Sequence, residues 1–352
     1  MDLQQTIAAV RPPCEDSRAA ARTRFSEIAM PLGSLGLLQD AVAQIAAIRR
    51  TVRPSIAKRA VVMFCADNGV VAQGVTQCGQ EVTATVTENM GRGQSAVCLM
   101  ARHIGMDSFP VDIGVARDVQ GERILHRKIR YGTADMTQEP AMTRQEAVRA
   151  VEVGIALAEW CAAQGYDLLC GGEMGIGNTT TSAAVTAALT GADVETVTGR
   201  GAGLSSAGLE RKVRAIQTAL ALHQPDPSDP LDVLHKVGGL DIAGLAGLYL
   251  GAAACGLPAV LDGVISCAAA LIAVRLCSEV RGYLFAGHRS EEPAGALLLR
   301  ELELRPFITA GMRLGEGTGA VAAVSLLDLV FAAYDGMPSF AEAGVEAYQP
   351  LK

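Results

Sequence analysis

The feature that most constrains the fold is a series of short apolar segments, each ending in glycines or small polar residues. Five such segments have the length of β-strands, at positions 60–65, 109–111, 168–170, 259–261 and 283–285. The stretches between them carry helical patterns, as at 144–163, where apolar residues supply the buried faces of a helix. Alternating strands and helices are typical of a parallel sheet covered on both sides. The sequence therefore predicts an α/β fold with a doubly wound, mostly parallel sheet of Rossmann-like topology.

The two ends of the chain lie outside this pattern. Residues 1–25 and 335–352 are short, charged and helix-like, so we expect a small discontinuous helical subdomain beside a large α/β catalytic domain of residues 26–334. One internal segment, 242–261, has the length and apolar composition of a membrane helix, but it contains Pro258 and several glycines. A small-residue helix, a turn and a short buried strand are the preferred interpretation of that segment.

Charge and composition limit the classes of ligand. The formal net charge is -7 without long acidic or basic runs, so neither nucleic acid nor a membrane is expected as a partner. The nine cysteines form no CxxC pair and no two of the five histidines are four residues apart, which disfavours a zinc site. The N-terminal residues lack the apolar core of a secretory signal. We therefore expect a cytoplasmic protein with small-molecule substrates and no metal.

The most informative motif is GGEMGIGNTTTSAA at 171–184. A predicted strand runs into glycines that let a ligand approach the backbone, and Asn178 or Thr179 can cap the following helix. The free N–H groups at such a helix start suit a phosphate. A GxGxxG dinucleotide loop is the competing interpretation, but Thr180 replaces the third glycine and no apolar strand precedes Asp193. A P-loop is excluded because no glycine loop is followed by Gly-Lys-Ser/Thr.

A second glycine loop, GRGAGL at 199–204, precedes a charged helical pattern. Backbone amides of this loop and Lys212 on the next helix suit a phosphate dianion, although a plain loop and a solvated helix face explain the pattern equally well. Together, the two loops predict a phosphorylated ligand.

The segment MRLGEGTGA at 312–320 places one carboxylate between two glycines. Gly315 and Gly317 give Glu316 little side-chain cover, so its carboxylate can face a ligand while the apolar run after it anchors a helix in the core. From spacing alone, an acid that only complements the dipole of that helix is an equally good explanation.

These motifs together resemble the nicotinate-nucleotide:dimethylbenzimidazole phosphoribosyltransferases, which make the lower-ligand nucleotide of cobalamin. The similarity covers nearly the whole chain, through PLGSLG (31–36), FCADNGV (64–70), GEMGIGNTT (172–180), 236–241, 261–263, His288 with Ser290, and MRLGEGTGA (312–320). It implies a homodimeric pentosyltransferase that moves the 5-phosphoribosyl group from nicotinate mononucleotide to a benzimidazole nitrogen, releasing nicotinate with inversion at the anomeric carbon. One general base suffices for this chemistry, so no cofactor is expected.

The resemblance also implies the site residues. The general base falls on Glu316, and a second acid that can stabilise the transition state falls on Glu173. The implied phosphate and ribose contacts are Gly175, Ile176, Gly177, Asn178, Thr179, Gly201, Ala202, Gly203 and Lys212. The further implied substrate contacts are Cys78, Val86, Asp262, Ser290, Leu314 and Gly315.

Four positions depart from the family pattern. Met30 stands where a lysine is often found, Asn68 where many members have a histidine, Cys78 in a loop where a serine-proline pair is common, and Val86 where a glutamine is known. These differences leave the acceptor open among 5,6-dimethylbenzimidazole, other benzimidazoles, adenine and a phenol. An NAD-dependent oxidoreductase and a non-catalytic subunit are the alternatives from other classes.

Overall fold

The computed structural model describes residues 1–348 and contains one seven-stranded sheet. The strands are β1 (Arg59–Ala66), β2 (Asp107–Gly114), β3 (Leu125–His126), β4 (Leu168–Met174), β5 (Ala259–Leu261), β6 (Leu284–His288) and β7 (Pro306–Ile308). Their order is β3-β2-β1-β4-β5-β6-β7, and every neighbouring pair is parallel. The predicted doubly wound sheet is thereby confirmed. Its strand order changes direction between β1 and β4, where such sheets bind ligands.

Helices cover both faces of the sheet. They are α1 (Leu3–Ala9), α2 (Glu15–Glu27), α3 (Leu37–Arg49), α4 (Glu81–Gly91), α5 (Ala96–His103), α6 (Arg144–Ala163), α7 (Asn178–Thr190), α8 (Val194–Val197), α9 (Ser206–His223), α10 (Pro230–Val237), α11 (Leu240–Ala254), α12 (Val264–Leu276), α13 (Ala294–Glu301), α14 (Thr318–Gly336) and α15 (Phe340–Ala343). All five predicted strands are present; β3 and β7, the two short edge strands, were not predicted.

The apolar segment 242–261 forms most of the buried helix α11, a turn and strand β5, as the sequence predicts. Glycines let α11 pack directly against the backbone of α6, since a Cβ at Gly247 would lie 1.9 Å from the carbonyl oxygen of Val151. Of the helices in residues 1–348, only α14 has the length and apolar composition of a membrane span, and half of that stretch is buried in the fold.

The two ends of the chain approach each other beside α14. The Phe25 and Tyr334 rings are 4.6 Å apart between centroids, and Ile28 forms an isolated antiparallel bridge with Ser339. Helix α1 packs instead against α6 and α11, which belong to the predicted large domain. The division into residues 26–334 and a subdomain of 1–25 with 335–352 stays a prediction, and residues 349–352 of that subdomain lie outside the described residues.

Candidate active site

A cleft lies at the carboxyl ends of β4, β5 and β6, where the loops of a doubly wound sheet gather. The segments that line it are 75–78, 173–179, 200–202 with Leu204, 262–265, 288 with 290 and 292, and 313–316. Both glycine loops and the Glu316 segment, which are far apart in the sequence, therefore meet in one place.

Most of the predicted site residues line this cleft. They are Cys78, Glu173, Gly175, Ile176, Gly177, Asn178, Thr179, Gly201, Ala202, Asp262, Ser290, Leu314, Gly315 and Glu316. Three predicted residues lie behind it or away from it. Gly203 accepts a hydrogen bond from the Gln77 side chain through its carbonyl, Lys212 is buried behind Thr179, and Val86 packs on α4 against the core.

The first glycine loop brings the backbone to the start of α7. Gly177 has φ +95°, and a Cβ at Gly175 would lie 2.3 Å from the carbonyl oxygen of Ala66, so the loop requires glycine at both positions. The Ile176 N–H donates to Thr83 Oγ1 at 3.0 Å and is therefore already occupied. In the first turn of α7 the Asn178 and Thr180 N–H groups donate to the Gly175 and Gly177 carbonyls at 3.1 and 2.9 Å, whereas the Thr179 N–H has no backbone acceptor among the described residues. This N–H and the positive end of the helix dipole suit an anion.

Lys212 provides the positive charge behind this helix start. Its side chain is 1% exposed, and Nζ donates to Thr179 Oγ1 at 2.8 Å and to the Gly199 carbonyl at 3.0 Å. It forms no ion pair with any of residues 1–348. Burial lowers the pKa of the Lys212 ammonium from 10.5 to about 8, partly opposed by the Glu292 carboxylate. A buried cation without a counter-ion favours the binding of an anion at the adjoining cleft.

Glu292 was not predicted as a site residue, yet it lines the cleft. Its Oε1 accepts the Gly201 N–H at 3.1 Å, so this amide of the second loop is bonded to a carboxylate. A Cβ at Gly199 would lie 2.0 Å from Glu292 Oε2 and 2.6 Å from Pro293 Cδ, so a side chain there would displace the carboxylate and clash with the proline ring. Glu292 lies four residues beyond the polar end of β6. Its closeness to the end of a predicted strand is the one sequence signal that could have identified it as a site residue.

Glu316 has an unusual backbone conformation. Its φ is +63°, and Gly315 and Gly317 on either side have φ +86° and +99°. A non-glycine residue in the left-handed region is disfavoured by its Cβ and needs support from the surrounding structure. The Oε2 atom accepts the Val97 N–H at 3.4 Å, at the start of α5. Burial, and next the negative charge of Asp262, raise the pKa of the Glu316 carboxyl above its ordinary value.

The N–H groups at the start of α14 are hydrogen-bonded to the carboxylate of Asp262. Asp262 is buried at the end of β5, and its carboxylate accepts the N–H groups of Gly317 (3.1 Å), Gly319 (2.7 Å) and Ala320 (3.3 Å). The described residues show no hydrogen bond from an α14 N–H to Glu316, so these N–H groups give no support to the alternative in which Glu316 only complements the dipole of α14. The Glu316 carboxylate is bonded to the start of α5 and lines the cleft.

Glu173 belongs to a buried group of acids. The Asn178 side-chain amide donates both to Glu173 Oε2 and to Asp241 Oδ2, the latter at 2.9 Å. No cation pairs with either acid among the residues that the structure describes. Burial, and next the charge of Asp241, raise the pKa of Glu173 to about 8; burial raises that of Asp241 to about 6. The raised pKa favours the protonated form of Glu173 at neutral pH.

The four departures from the family pattern fall in different places. Cys78 lines the cleft, whereas Met30 and Val86 pack against the core. Asn68 is buried at the end of β1, where Oδ1 accepts from Thr181 Oγ1 at 3.3 Å and Nδ2 has no partner in the described part of the chain. Of these four side chains, only Cys78 changes the lining of the cleft.

The comparisons with known proteins agree with this geometry. The family model DBI_PRT, described as phosphoribosyltransferase, matches residues 10–345. A Chloroflexus aggregans protein named nicotinate-nucleotide–dimethylbenzimidazole phosphoribosyltransferase is 49% identical and covers 97% of this chain and 98% of that protein. An Acetivibrio thermocellus protein of the same name is 44% identical over 99% of both chains. The crystal structure of CobT from Thermus thermophilus superposes with a TM-score of 0.90 at 41% identity, covering 95% of this chain and 100% of that one. The chain is thus an enzyme that belongs to the nicotinate-nucleotide–dimethylbenzimidazole phosphoribosyltransferase family.

Proposed function

We propose that the protein transfers the 5-phosphoribosyl group of nicotinate mononucleotide to 5,6-dimethylbenzimidazole or a related lower-ligand base. The products are α-ribazole 5′-phosphate and nicotinate, and the reaction serves nucleotide-loop assembly in cobalamin biosynthesis. The observation that carries the proposal is one cleft that combines a cationic helix start, backed by Lys212, with the half-buried carboxylate of Glu316. An anion-binding group and a base are what a phosphorylated donor and a protic acceptor require.

The donor phosphate binds at the start of α7 in this proposal. It accepts from the N–H and the hydroxyl of Thr179, with Lys212 Nζ directly behind that hydroxyl. The phosphate charge raises the pKa of Lys212 back towards its ordinary value, which couples donor binding to protonation of the lysine. Free loop amides at Gly177 and Ala202 add to this contact, whereas the Gly201 N–H first has to leave Glu292.

The reaction itself needs one proton acceptor. The bond between the anomeric carbon and the pyridinium nitrogen breaks, its electron pair stays on that nitrogen, and the ring leaves as nicotinate. The acceptor nitrogen then forms the new bond from the opposite face, and Glu316 takes the proton from the other imidazole nitrogen. The positive ring of the bound donor lowers the pKa of nearby Glu173, and the ionised carboxylate stabilises the oxocarbenium character of the transition state.

The proposal is tested with purified protein, nicotinate mononucleotide and a panel of acceptors. We expect nicotinate and an α-nucleotide by mass spectrometry with 5,6-dimethylbenzimidazole, and comparison with benzimidazole, adenine and a phenol ranks the acceptors. An absence of product with every acceptor contradicts the proposal.

The base assignment has its own test. Glu316→Gln should lower kcat by about 10²- to 10⁴-fold while calorimetry shows unchanged nucleotide binding. Glu303→Gln is the matched control, because the Glu303 backbone is also in the left-handed region, with φ +55°, but its side chain is exposed and outside the cleft. Near-wild-type turnover in Glu316→Gln would rule out this base.

We further propose a cytoplasmic homodimer that binds small molecules and no nucleic acid. The net charge of -7 without basic runs supports the absence of a nucleic-acid partner. Light scattering after size exclusion should give the mass of two chains, and a species with the mass of one chain contradicts the dimer.

A further inference from the structure

Both carboxylate oxygens of Asp262 accept hydrogen bonds from the backbone that directly follows Glu316. Oδ2 accepts from Gly317, the residue directly after the base, and Oδ1 accepts from Gly319 and Ala320. The side chain is buried, at 1% exposure. With three N–H groups bonded to its two oxygens, Asp262 has little remaining capacity to bind a substrate hydroxyl, although it borders the cleft.

The segment that it holds requires such an anchor. Three consecutive residues, 315–317, are in the left-handed region, and the middle one is not glycine. On one side the Glu316 carbonyl packs against β4, where a Cβ at Gly172 would lie 2.4 Å from the carbonyl oxygen. On the other side Asp262 accepts the N–H groups of Gly317 and Gly319, while within the turn the Thr318 N–H and hydroxyl donate to the Gly315 carbonyl. The strained conformation is therefore clamped between β4 and β5.

Asp262 is itself fixed in place. Its N–H donates to Ser266 Oγ at 3.0 Å, and that hydroxyl shares a hydrogen bond of 2.5 Å with the buried Tyr249 hydroxyl. The His288 Nε2 atom lies 3.6 Å from Asp262 Oδ1, on the side of β6. A carboxylate supported in this way transmits the position of β5 to the Glu316 segment.

We propose that Asp262 is a positioning residue, which fixes Glu316 in the left-handed conformation that aims its carboxylate into the cleft, and that it is not a substrate ligand. The inference rests on the proposed function, because it gives Glu316 the role of base. It replaces the substrate contact that the resemblance implies for Asp262.

The charge of Asp262 adds a second, measurable effect. The charged and titratable groups that face Glu316 are Asp262 from β5, Glu173 from β4, His288 from β6 and Arg313 on its own segment. Because Asp262 raises the pKa of Glu316, removing its charge should move the acid limb of the kcat profile to lower pH. A residue with only a structural role would leave this limb in place.

Asp262→Asn in the full-length protein is the main test. The amide keeps one oxygen for Gly319 and Ala320 but turns an NH₂ group towards the Gly317 N–H, so the bond next to the base is lost. We expect kcat to fall about 10- to 100-fold, a cost typical of a misplaced catalytic group. The dissociation constant of nicotinate mononucleotide should stay within about twofold, since the phosphate contacts of α7 are untouched.

A control and a readout without turnover complete the design. Asp112→Asn removes another fully buried carboxylate, paired with Lys128 at 3.0 Å at the far end of the sheet, and should leave kcat unchanged. Hydrogen exchange of the peptide around 312–322 should be faster in Asp262→Asn than in the wild type. If Asp262→Asn does not fold, Ser266→Ala decides, with a several-fold fall in kcat at unchanged nucleotide affinity as the supporting result.

The outcomes separate this inference from the proposed function. A wild-type enzyme without activity on any acceptor rejects the proposed function, whatever the exchange data show. An active wild type with a weakened nucleotide affinity and normal kcat in Asp262→Asn identifies Asp262 as a substrate ligand and overturns the inference. Unchanged kcat, pH profile and exchange in the variant overturn it as well.

Discussion

Lys212→Met is expected to stabilise the ligand-free protein at neutral pH and to weaken donor binding. The buried ammonium has a pKa of about 8 instead of 10.5, which at 1.36 kcal/mol per pH unit corresponds to about 3 kcal/mol of destabilisation by the charge. Methionine removes this cost but leaves Thr179 Oγ1 and the Gly199 carbonyl without their donor, a loss of about 1–2 kcal/mol. The net result at pH 7 is a gain of about 1–2 kcal/mol in the free energy of unfolding.

The pH dependence of this gain has a definite sign. Between about pH 8 and 10.5 the unfolded chain binds a proton at Lys212 that the folded protein has released, so wild-type stability rises with pH in this window. The advantage of Lys212→Met is therefore complete below pH 8, declines above it and reverses by about pH 10.5. Urea unfolding of both proteins from pH 7 to pH 10 measures the difference.

Donor binding should change in the opposite direction. Losing a charged partner of the phosphate costs about 1.5–3 kcal/mol, or about 10- to 150-fold in the dissociation constant of nicotinate mononucleotide. Arg214→Met, which removes an exposed cation from the same helix, is the control and should change neither property. A variant that is less stable than the wild type by the same amount at every pH would refute the account of Lys212, and an unchanged dissociation constant would refute its link to the phosphate.

Two further predictions concern the neighbourhood of Glu316. Gly172→Ala places a Cβ 2.4 Å from the Glu316 carbonyl oxygen, so kcat should fall at least about tenfold and the free energy of unfolding by about 1–3 kcal/mol. Gly336→Ala is the control, because a Cβ there meets nothing within 4 Å, and it should behave as wild type. Equal kcat in the two variants contradicts the close packing at Gly172. Glu173→Gln should remove a loss of stability as pH rises from 4.5 towards 8, because the folded protein with its raised pKa holds a proton there that the unfolded chain releases. Thermal unfolding across this range measures it, and a variant with the wild-type pH dependence would show that burial of Glu173 is not the cause.

Much of the fold can be predicted from local sequence patterns. The central strands are buried on both faces, so their sequences are continuous apolar runs that can be recognised. The loops that follow these strands begin with glycine and polar residues. The edge strands β3 and β7 contain two and three residues, too few for any period to appear. Their pairing follows from the neighbouring strands rather than from their own sequence.

The parts of the candidate site that could be predicted are those in which one sequence motif supplies several neighbouring residues. The loop at 175–179 and the segment 313–316 both line the cleft. Contacts between distant segments were not predictable from spacing, including Asp262 at the start of α14, Asp241 behind Asn178 and the burial of Lys212. These depend on which strands lie side by side, and that order becomes visible only in the assembled sheet.

The strand order also determines when the enzyme becomes competent during synthesis. Strand β1 pairs with β4, Arg59 opposite Leu168, so the middle of the sheet cannot close until a long intervening stretch has left the ribosome. The segment around Glu316 is synthesised after all seven strands, and the contacts that hold it need both β4 and β5 already in place. With Glu316 as the base that we propose, a nascent chain that carries all seven strands but has not reached Glu316 is catalytically inert.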